Sequence, residues 1–270
     1  MKLAHLVEPG SKLKLRDIDP RDKGPFDDKQ DSKIAELSAK LNARLCTLQE
    51  RLFAEQKRGV LVVLQAMDTG GKDGVLRHVV GPLDSRGVMV QSFKAPNSEE
   101  LAHDYLWRVH QHTPKKGQMV FFNRSHYEDV LVVRVLGLQP KDVWSKRFDQ
   151  INDFERMLTA EGTRVVKVFL HISRAEQKQR LEERLKDPDK RWKFEAGDLE
   201  MRALWDEFQG AYEDALSRTS TREAPWYVVP ADRKWFRDLA VAKILVDLLE
   251  DMDPRYPEPH LDLGKLVVPD

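Results

Sequence analysis

Val60-Leu-Val-Val-Leu-Gln-Ala66 runs directly into Met67-Asp-Thr-Gly-Gly-Lys-Asp73. A nearly continuous apolar run followed by paired glycines and a lysine reads as a buried strand, a tight loop and the start of a helix. Backbone N–H groups of such a loop point inward and cradle phosphate oxygens, and the helix that follows adds its positive N-terminal end. Gly70 and Gly71 permit the loop geometry and a close phosphate approach. Lys72 reaches the terminal phosphates as a mobile point charge, and Met67, Thr69 and Asp73 complete the candidate phosphate contacts. The pattern G-x-x-x-x-G-K-[ST] is met imperfectly. Ala66 takes the place of the first glycine, and Asp73 replaces the hydroxyl that normally touches magnesium. That moves the metal question to Asp68, whose carboxylate can hold Mg²⁺ beside bound phosphates. The plain alternative is an ordinary strand-to-helix turn that happens to contain a lysine. The position of the loop, directly after the most hydrophobic early strand, argues against it.

Working outward, the apolar runs Val88–Phe93, Gln118–Phe122, Val165–Ile172 and Trp226–Val229 read as further strands. Helical spacing marks residues 31–57, Asp73–Val80, Ser98–His112, Lys141–Ala160, Arg174–Leu185, Leu199–Leu216 and Lys234–Asp251. Alternating strands and helices of this kind imply an α/β fold, a parallel sheet wrapped by helices. Residues 1–30 are polar and rich in Pro, Gly and Asp, so they read as an irregular N-terminal arm. Residues 31–253 form the α/β domain. The Pro-rich tail, 254–270, is expected on the surface or against a neighbouring subunit.

The third strand ends abruptly in polar groups, in Val120-Phe-Phe-Asn-Arg-Ser-His-Tyr-Glu-Asp129. In an open parallel sheet, ligands bind beyond the carboxyl ends of the strands. Asn123, Arg124, Glu128 and Asp129 are therefore expected on the same edge as the loop. Arg124 can bridge two phosphate oxygens with its planar fork. Glu128 could hold metal or orient an accepting phosphate. A helix-capping cluster built on Asn123 or Ser125 is the structural alternative. Lys94 follows the second strand and could reach the same edge. Farther on, Lys190-Arg-Trp-Lys193 lies just after Pro188, and Lys190, Arg191 and Lys193 suit a lid over phosphates, about residues 174–197. Arg180 and Arg184 read as a solvated helix face with i,i+4 charge pairs.

Composition narrows the classes. Lys+Arg and Asp+Glu both number 45, for a formal net charge of zero. That argues against a nucleic-acid-coating protein. No run approaches the roughly 20 apolar residues of a membrane span, and no signal-peptide h-region is visible. The single cysteine, Cys46, reads as a small buried apolar side chain, and a reducing cytoplasm is the expected compartment. His103, His110, His112 and His126 do not have the spacing of a zinc motif.

These motifs resemble the polyphosphate kinase 2 family. The resemblance rests on Asp68-Thr-Gly-Gly-Lys-Asp-Gly74, Phe122-Asn-Arg-Ser-His-Tyr-Glu-Asp-Val130, Glu182–Arg184 with Asp187–Lys193, and Thr219-Ser-Thr-Arg-Glu-Ala-Pro-Trp-Tyr-Val228. It covers roughly residues 30–250 and is strongest to the branch that accepts both AMP and ADP. It implies a P-loop kinase with a five-stranded parallel sheet flanked by helices and a helical lid, similar to thymidylate kinase. The implied reaction is reversible, Mg²⁺-dependent phosphoryl transfer between inorganic polyphosphate and AMP or ADP, giving ADP or ATP, with Mn²⁺ as a possible substitute ion. Asp68, Lys72 and Arg124 match the family's reactive positions, and Glu128 is the branch-specific acid near the acceptor. Asp68 and Glu128 are the metal candidates. Asn123 stands where many members carry Asp, which weakens a metal role there. A homo-oligomer, dimer or tetramer, is implied. The competing reading is a nucleoside monophosphate kinase that uses ATP as donor. A binding module without catalysis would be expected to lack Lys72 or Arg124, and both are present.

Overall fold

The computed structural model describes residues 1–27, 32–194, 197–259, 266 and 269. Parts of the expected arm (28–30), lid (195 and 196) and tail (260–265, 267, 268 and 270) lie outside the described residues. The strands are β1 (His5–Val7), β2 (Gly59–Ala66), β3 (Val88–Ser92), β4 (Met119–Asn123), β5 (Thr163–His171) and β6 (Trp226–Pro230). The helices are α1 (Ser32–Glu55), α2 (Lys72–Val75), α3 (Ser98–Ala102), α4 (Trp107–His110), α5 (Val132–Val135), α6 (Lys141–Trp144), α7 (Arg147–Ala160), α8 (Arg174–Lys186), α9 (Gly197–Ala203), α10 (Trp205–Thr219) and α11 (Lys234–Met252).

Among the described residues the strands form one six-stranded mixed sheet in the order β1-β6-β5-β2-β4-β3. Neighbours from β3 to β6 pair in parallel, and β1 pairs antiparallel with β6. Every residue of β2 is buried, as a central parallel strand covered on both faces should be. The connection leaving β2 runs toward the β3 edge, whereas those leaving β4 and β5 run the other way. The direction of winding therefore changes beside β2, and the crevice at its carboxyl end is where such sheets take ligands. Register sets the details there: Leu64 lies opposite Asn123, and Ala66 opposite Leu170. Two helix pairs, α1 with α11 and α7 with α10, cover the sheet. The amphipathic α11 buries Phe236, Leu239, Ile244, Leu245 and Leu249.

The N-terminal arm is not irregular throughout, which corrects the reading of residues 1–30. It supplies the sixth strand and buries Leu3, Val7, Leu15, Ile18 and Phe26. Its path is tied down by Ser220 Oγ donating to the Val7 carbonyl at 2.6 Å and Glu213 accepting the Leu15 N–H at 2.9 Å. A three-residue strand among charges is too short to show a period of two. Helices expected to be continuous are broken. Ser98–His112 splits because Asp104 Oδ1 accepts the N–H groups of Leu106 and Trp107, a side-chain turn that competes with the helix. Lys141–Ala160 and Leu199–Leu216 are each divided into two helices. The α2 segment widens into a π-type turn, Leu76–Val80, just before Pro82. Cys46 is only partly buried, with Sγ 3.4 Å from the Pro82 carbonyl oxygen, so it is not the core residue expected. Among the described residues, no helix is long and apolar enough to cross a membrane.

Candidate active site

The loop Met67–Gly71 leaves β2 under backbone constraint. Thr69 sits at φ 62° and Gly71 at φ 104°, both in the left-handed region that favours glycine. A side chain at Gly71 would meet the Arg237 guanidinium at 2.1 Å, so this glycine also makes room for a buried cation from α11. Gly70 closes the turn by donating its N–H to the Met67 carbonyl at 2.9 Å. Lys72 opens α2, and its Nζ folds back over the loop to the Ala66 carbonyl oxygen at 3.2 Å. Burial lowers the Lys72 pKa from its ordinary value; the Arg124 charge adds to this, and Asp68, Glu128 and Asp73 oppose it.

Arg124 is the first residue beyond β4. It also lies in the left-handed region, at φ 62°, with its N–H bonded to the Leu64 carbonyl at 3.2 Å. A non-glycine residue held there signals a constrained site. This bend turns its guanidinium over the loop, where it donates to Asp68 Oδ1 at 2.9 Å and to Glu128 Oε2 at 3.5 Å. Asp68, Arg124 and Glu128 are thus assembled by two strand ends, with Lys72 beside them. Asp73 is a separate junction: Asn123 Nδ2 donates to its Oδ1 at 3.2 Å, and Lys193 Nζ lies 3.6 Å from its Oδ2. Of the three basic residues after Pro188, only Lys193 reaches the start of α2, at Asp73. Lys190 pairs with Asp187, and Arg191 Nε donates to the Leu185 carbonyl. Lys94 does not join the cluster. It lines a cleft of about 780 Å³ beyond Glu128, with Tyr105, Arg108, Asp129 and Arg147. Asp129 pairs there with Arg147 at 2.7 Å; burial raises its pKa to about 6 against the pull of that arginine. A smaller cleft of about 180 Å³ is lined by Met67, Asp68, Arg124, Glu128, Met201 and Tyr212. The helix-capping alternative has a real part: Ser125 Oγ accepts the Tyr127 N–H at 3.1 Å.

Several residues here escaped the sequence reading. Buried Gln65 donates from Nε2 to Glu128 Oε1 at 3.0 Å. From α8, Gln177 Nε2 donates to the Asp68 carbonyl at 3.1 Å and Arg180 to the Thr69 carbonyl at 2.9 Å. Arg180 also binds the carbonyls of Ala231 and Asp232 at 2.7 and 3.0 Å. The solvated reading of Arg180 is therefore wrong: only 6% of it is exposed. The i,i+4 pair with Glu176 exists, at 2.7 Å, and spacing alone could not show that the rest of the fork points inward. Arg184 is half-buried, 3.6 Å from Asp198. Arg180→Met leaves three buried or part-buried carbonyls without their donor. We expect it to lower stability by about 3 kcal/mol, read from the denaturant midpoint; an unchanged midpoint would show that the loop does not need this support.

The Polyphosphate kinase 2 family model matches residues 27–257. An AMP/ADP-polyphosphate phosphotransferase of Meiothermus ruber is 54% identical over 262 residues, 97% of this chain and 98% of that protein. An ADP-polyphosphate phosphotransferase of Rhodopseudomonas palustris is 45% identical over 227 residues, 80% of this chain and 78% of that protein. The crystal structure of Polyphosphate Kinase 2 from Arthrobacter aurescens TC1 superposes with a TM-score of 0.90 at 41% identity, covering 98% of this chain and 97% of that one. With the glycine loop, the arginine beyond β4 and the two carboxylates it spans, this extent of likeness places the chain in the polyphosphate kinase 2 family.

Proposed function

We propose that this protein moves a terminal phosphoryl group between inorganic polyphosphate and AMP or ADP. Arg124 spanning Asp68 and Glu128 above the loop carries the reading. In the forward direction an oxygen of the nucleotide's last phosphate attacks the terminal phosphorus of the polyphosphate. The P–O bond to the next phosphate breaks, and the chain leaves one unit shorter. Such transfer depends chiefly on positioning and on neutralising charge around the moving group. The loop, a P-loop in this reading, cradles donor phosphates with its N–H groups. Lys72 and Arg124 neutralise the equatorial oxygens. Lys193, on a helical segment that acts as a lid, closes the phosphate path.

The donor set at the site fits magnesium. Asp68 and Glu128 offer hard carboxylate oxygens brought together by one guanidinium, and Mg²⁺ commonly uses one or two carboxylates plus substrate phosphates and water. Mn²⁺ is a possible substitute. When bound, the ion would supply charge neutralisation between donor and acceptor phosphates. The reading also includes a homo-oligomer, dimer or tetramer, a cytoplasmic location, and a sheet and lid arrangement similar to thymidylate kinase. The names of the relatives support polyphosphate as donor. The deciding experiment offers purified protein, Mg²⁺ and AMP either polyphosphate or ATP, and follows ADP and ATP. Transfer from ATP alone would instead mark an ordinary nucleotide kinase.

The two acids should have separable tasks. Asp68 lies in the loop, on the donor side. Glu128 is held by Gln65 and Arg124 at the junction of both clefts, on the acceptor side. A carboxylate there positions the short phosphate of AMP and repels an acceptor whose phosphates reach past it. With AMP, ADP and ATP as acceptors, Asp68→Ala should depress all rates by about 10²-fold or more and alter the Mg²⁺ dependence. Glu128→Ala should change the ratio among acceptors. Equal scaling of all three rates by Glu128→Ala would remove its acceptor role.

A further inference from the structure

Directly beneath the turn that carries Arg124 and Glu128 lies a polar cluster with no access to solvent. Tyr127 is fully buried, and its hydroxyl is 2.9 Å from Glu155 Oε1, 3.0 Å from Thr219 Oγ1 and 3.0 Å from Lys167 Nζ. Lys167, in the middle of β5, also pairs with Glu155 and donates to the Thr219 carbonyl at 2.7 Å. Trp226 Nε1 donates to Thr219 Oγ1 at 2.9 Å, and its ring meets Tyr127 edge-on at 4.8 Å. His126 Nε2 lies 3.4 Å from Glu155 Oε1. Lys167 and Glu155 are 0% and 1% exposed.

Stability alone does not account for such a pair. Taking both charges out of water costs about as much as their attraction returns, and well-packed apolar side chains of similar volume often serve as well or better. What the pair does that apolar side chains would not is fix the Tyr127 hydroxyl at one point, from helix α7 and strand β5 at once. Tyr127 is the residue next to Glu128 and three after Arg124, and the turn between them is short and tied by Ser125. Arg124 occupies the left-handed region, so its bend is not one the chain would adopt by local preference. A hold from below is then needed to keep both reactive side chains in place.

We propose that Tyr127, Glu155 and Lys167 are positioning residues: the buried pair anchors the Tyr127 hydroxyl, and through it sets where Arg124 and Glu128 stand in the transfer reaction. The proposal rests on the function given above, and its test separates the two. The variants are Tyr127→Phe, which removes only the hydroxyl, and the double variant Glu155→Leu with Lys167→Met, which removes both charges together. Each is assayed with polyphosphate and with AMP or ADP as acceptor, beside its melting temperature. Misplacing a reactive group by a fraction of an ångström costs about tenfold or more in rate. The expected result is a loss of about that size in kcat for both variants, with KM for polyphosphate unchanged and the AMP-to-ADP rate ratio shifted as in Glu128→Ala. The double variant leaves the buried Thr219 carbonyl without its donor, so its melting temperature serves only as the check that it is folded. Parent kcat and parent acceptor ratio in Tyr127→Phe would overturn the proposal, whatever the melting temperature; that variant decides alone if the double variant does not fold. If the parent itself takes no phosphoryl group from polyphosphate, the proposed function fails. A crystal structure of Tyr127→Phe then decides the inference, since Arg124 and Glu128 superposing on their parent positions would overturn it.

Discussion

Lys72→Ala is expected to lower the rate of phosphoryl transfer by about 10³-fold or more while leaving the protein folded. The side chain adds little to packing: Nζ donates to the Ala66 carbonyl oxygen at 3.2 Å. Its burial disfavours the charge, and the carboxylates of Asp68, Glu128 and Asp73 partly restore it. A cation held this way has lost part of its hydration before substrate arrives. It can therefore give more of its attraction to a phosphate than a surface lysine could. Removing it takes away neutralisation at the place where negative charge shifts during transfer, and little else. The measurement is steady-state transfer from polyphosphate to ADP, with circular dichroism and thermal melting as the check on folding. A folded variant that keeps half the parent rate would remove Lys72 from the mechanism.

Arg124→Ala should cause a loss of similar size, by a different route. The guanidinium touches both Asp68 and Glu128, at 2.9 and 3.5 Å. Truncating it removes a planar fork for phosphate oxygens and leaves two carboxylates facing each other without the cation between them. Their mutual repulsion then adds to the loss at the reacting phosphate. Arg124→Lys separates these effects, because it restores the charge without the fork. We expect Arg124→Ala to lose about 10³-fold and Arg124→Lys to recover only a small part of it. Higher Mg²⁺ should help Arg124→Ala more than it helps Lys72→Ala, since added cation can screen the exposed carboxylates. Full recovery in Arg124→Lys would mean that charge alone matters and that the bridging geometry does not.

The strands of the parallel core were legible because they are long apolar runs. Val60–Gln65 became Gly59–Ala66, and Val165–Ile172 became Thr163–His171. Boundaries moved by a residue or two, as they do wherever the last ladder bonds depend on a neighbour. Strand β1 was not legible. Three residues cannot show alternation, and what makes His5–Val7 a strand is the exposed edge of β6. The breaks at Asp104 and Leu204 were hidden for a related reason: helical spacing persists on both sides of them, and only the side-chain turn or the local backbone angles end the helix.

The sequence by itself determined the chemistry available. Glycines at 70 and 71 followed by Lys72, and a polar burst after an apolar strand, place groups suited to phosphate at strand ends whatever the details of packing. The requirement is local: a loop between a strand and a helix needs those residue types to admit phosphates. Tertiary structure alone decided which of these groups meet. Asp68 and Arg124 are 56 positions apart in sequence and 2.9 Å apart in space, because the β2–β4 register sets Leu64 opposite Asn123. The same holds for Gln177 and Arg180 gripping the loop, for Arg237 filling the space beside Gly71, and for Lys167 and Glu155 beneath Tyr127. Each reads in sequence as an ordinary charged or polar residue of a helix or strand. Which way its side chain points, and into whose carbonyl or carboxylate, depends on long-range packing, and no local pattern of residues carries that information.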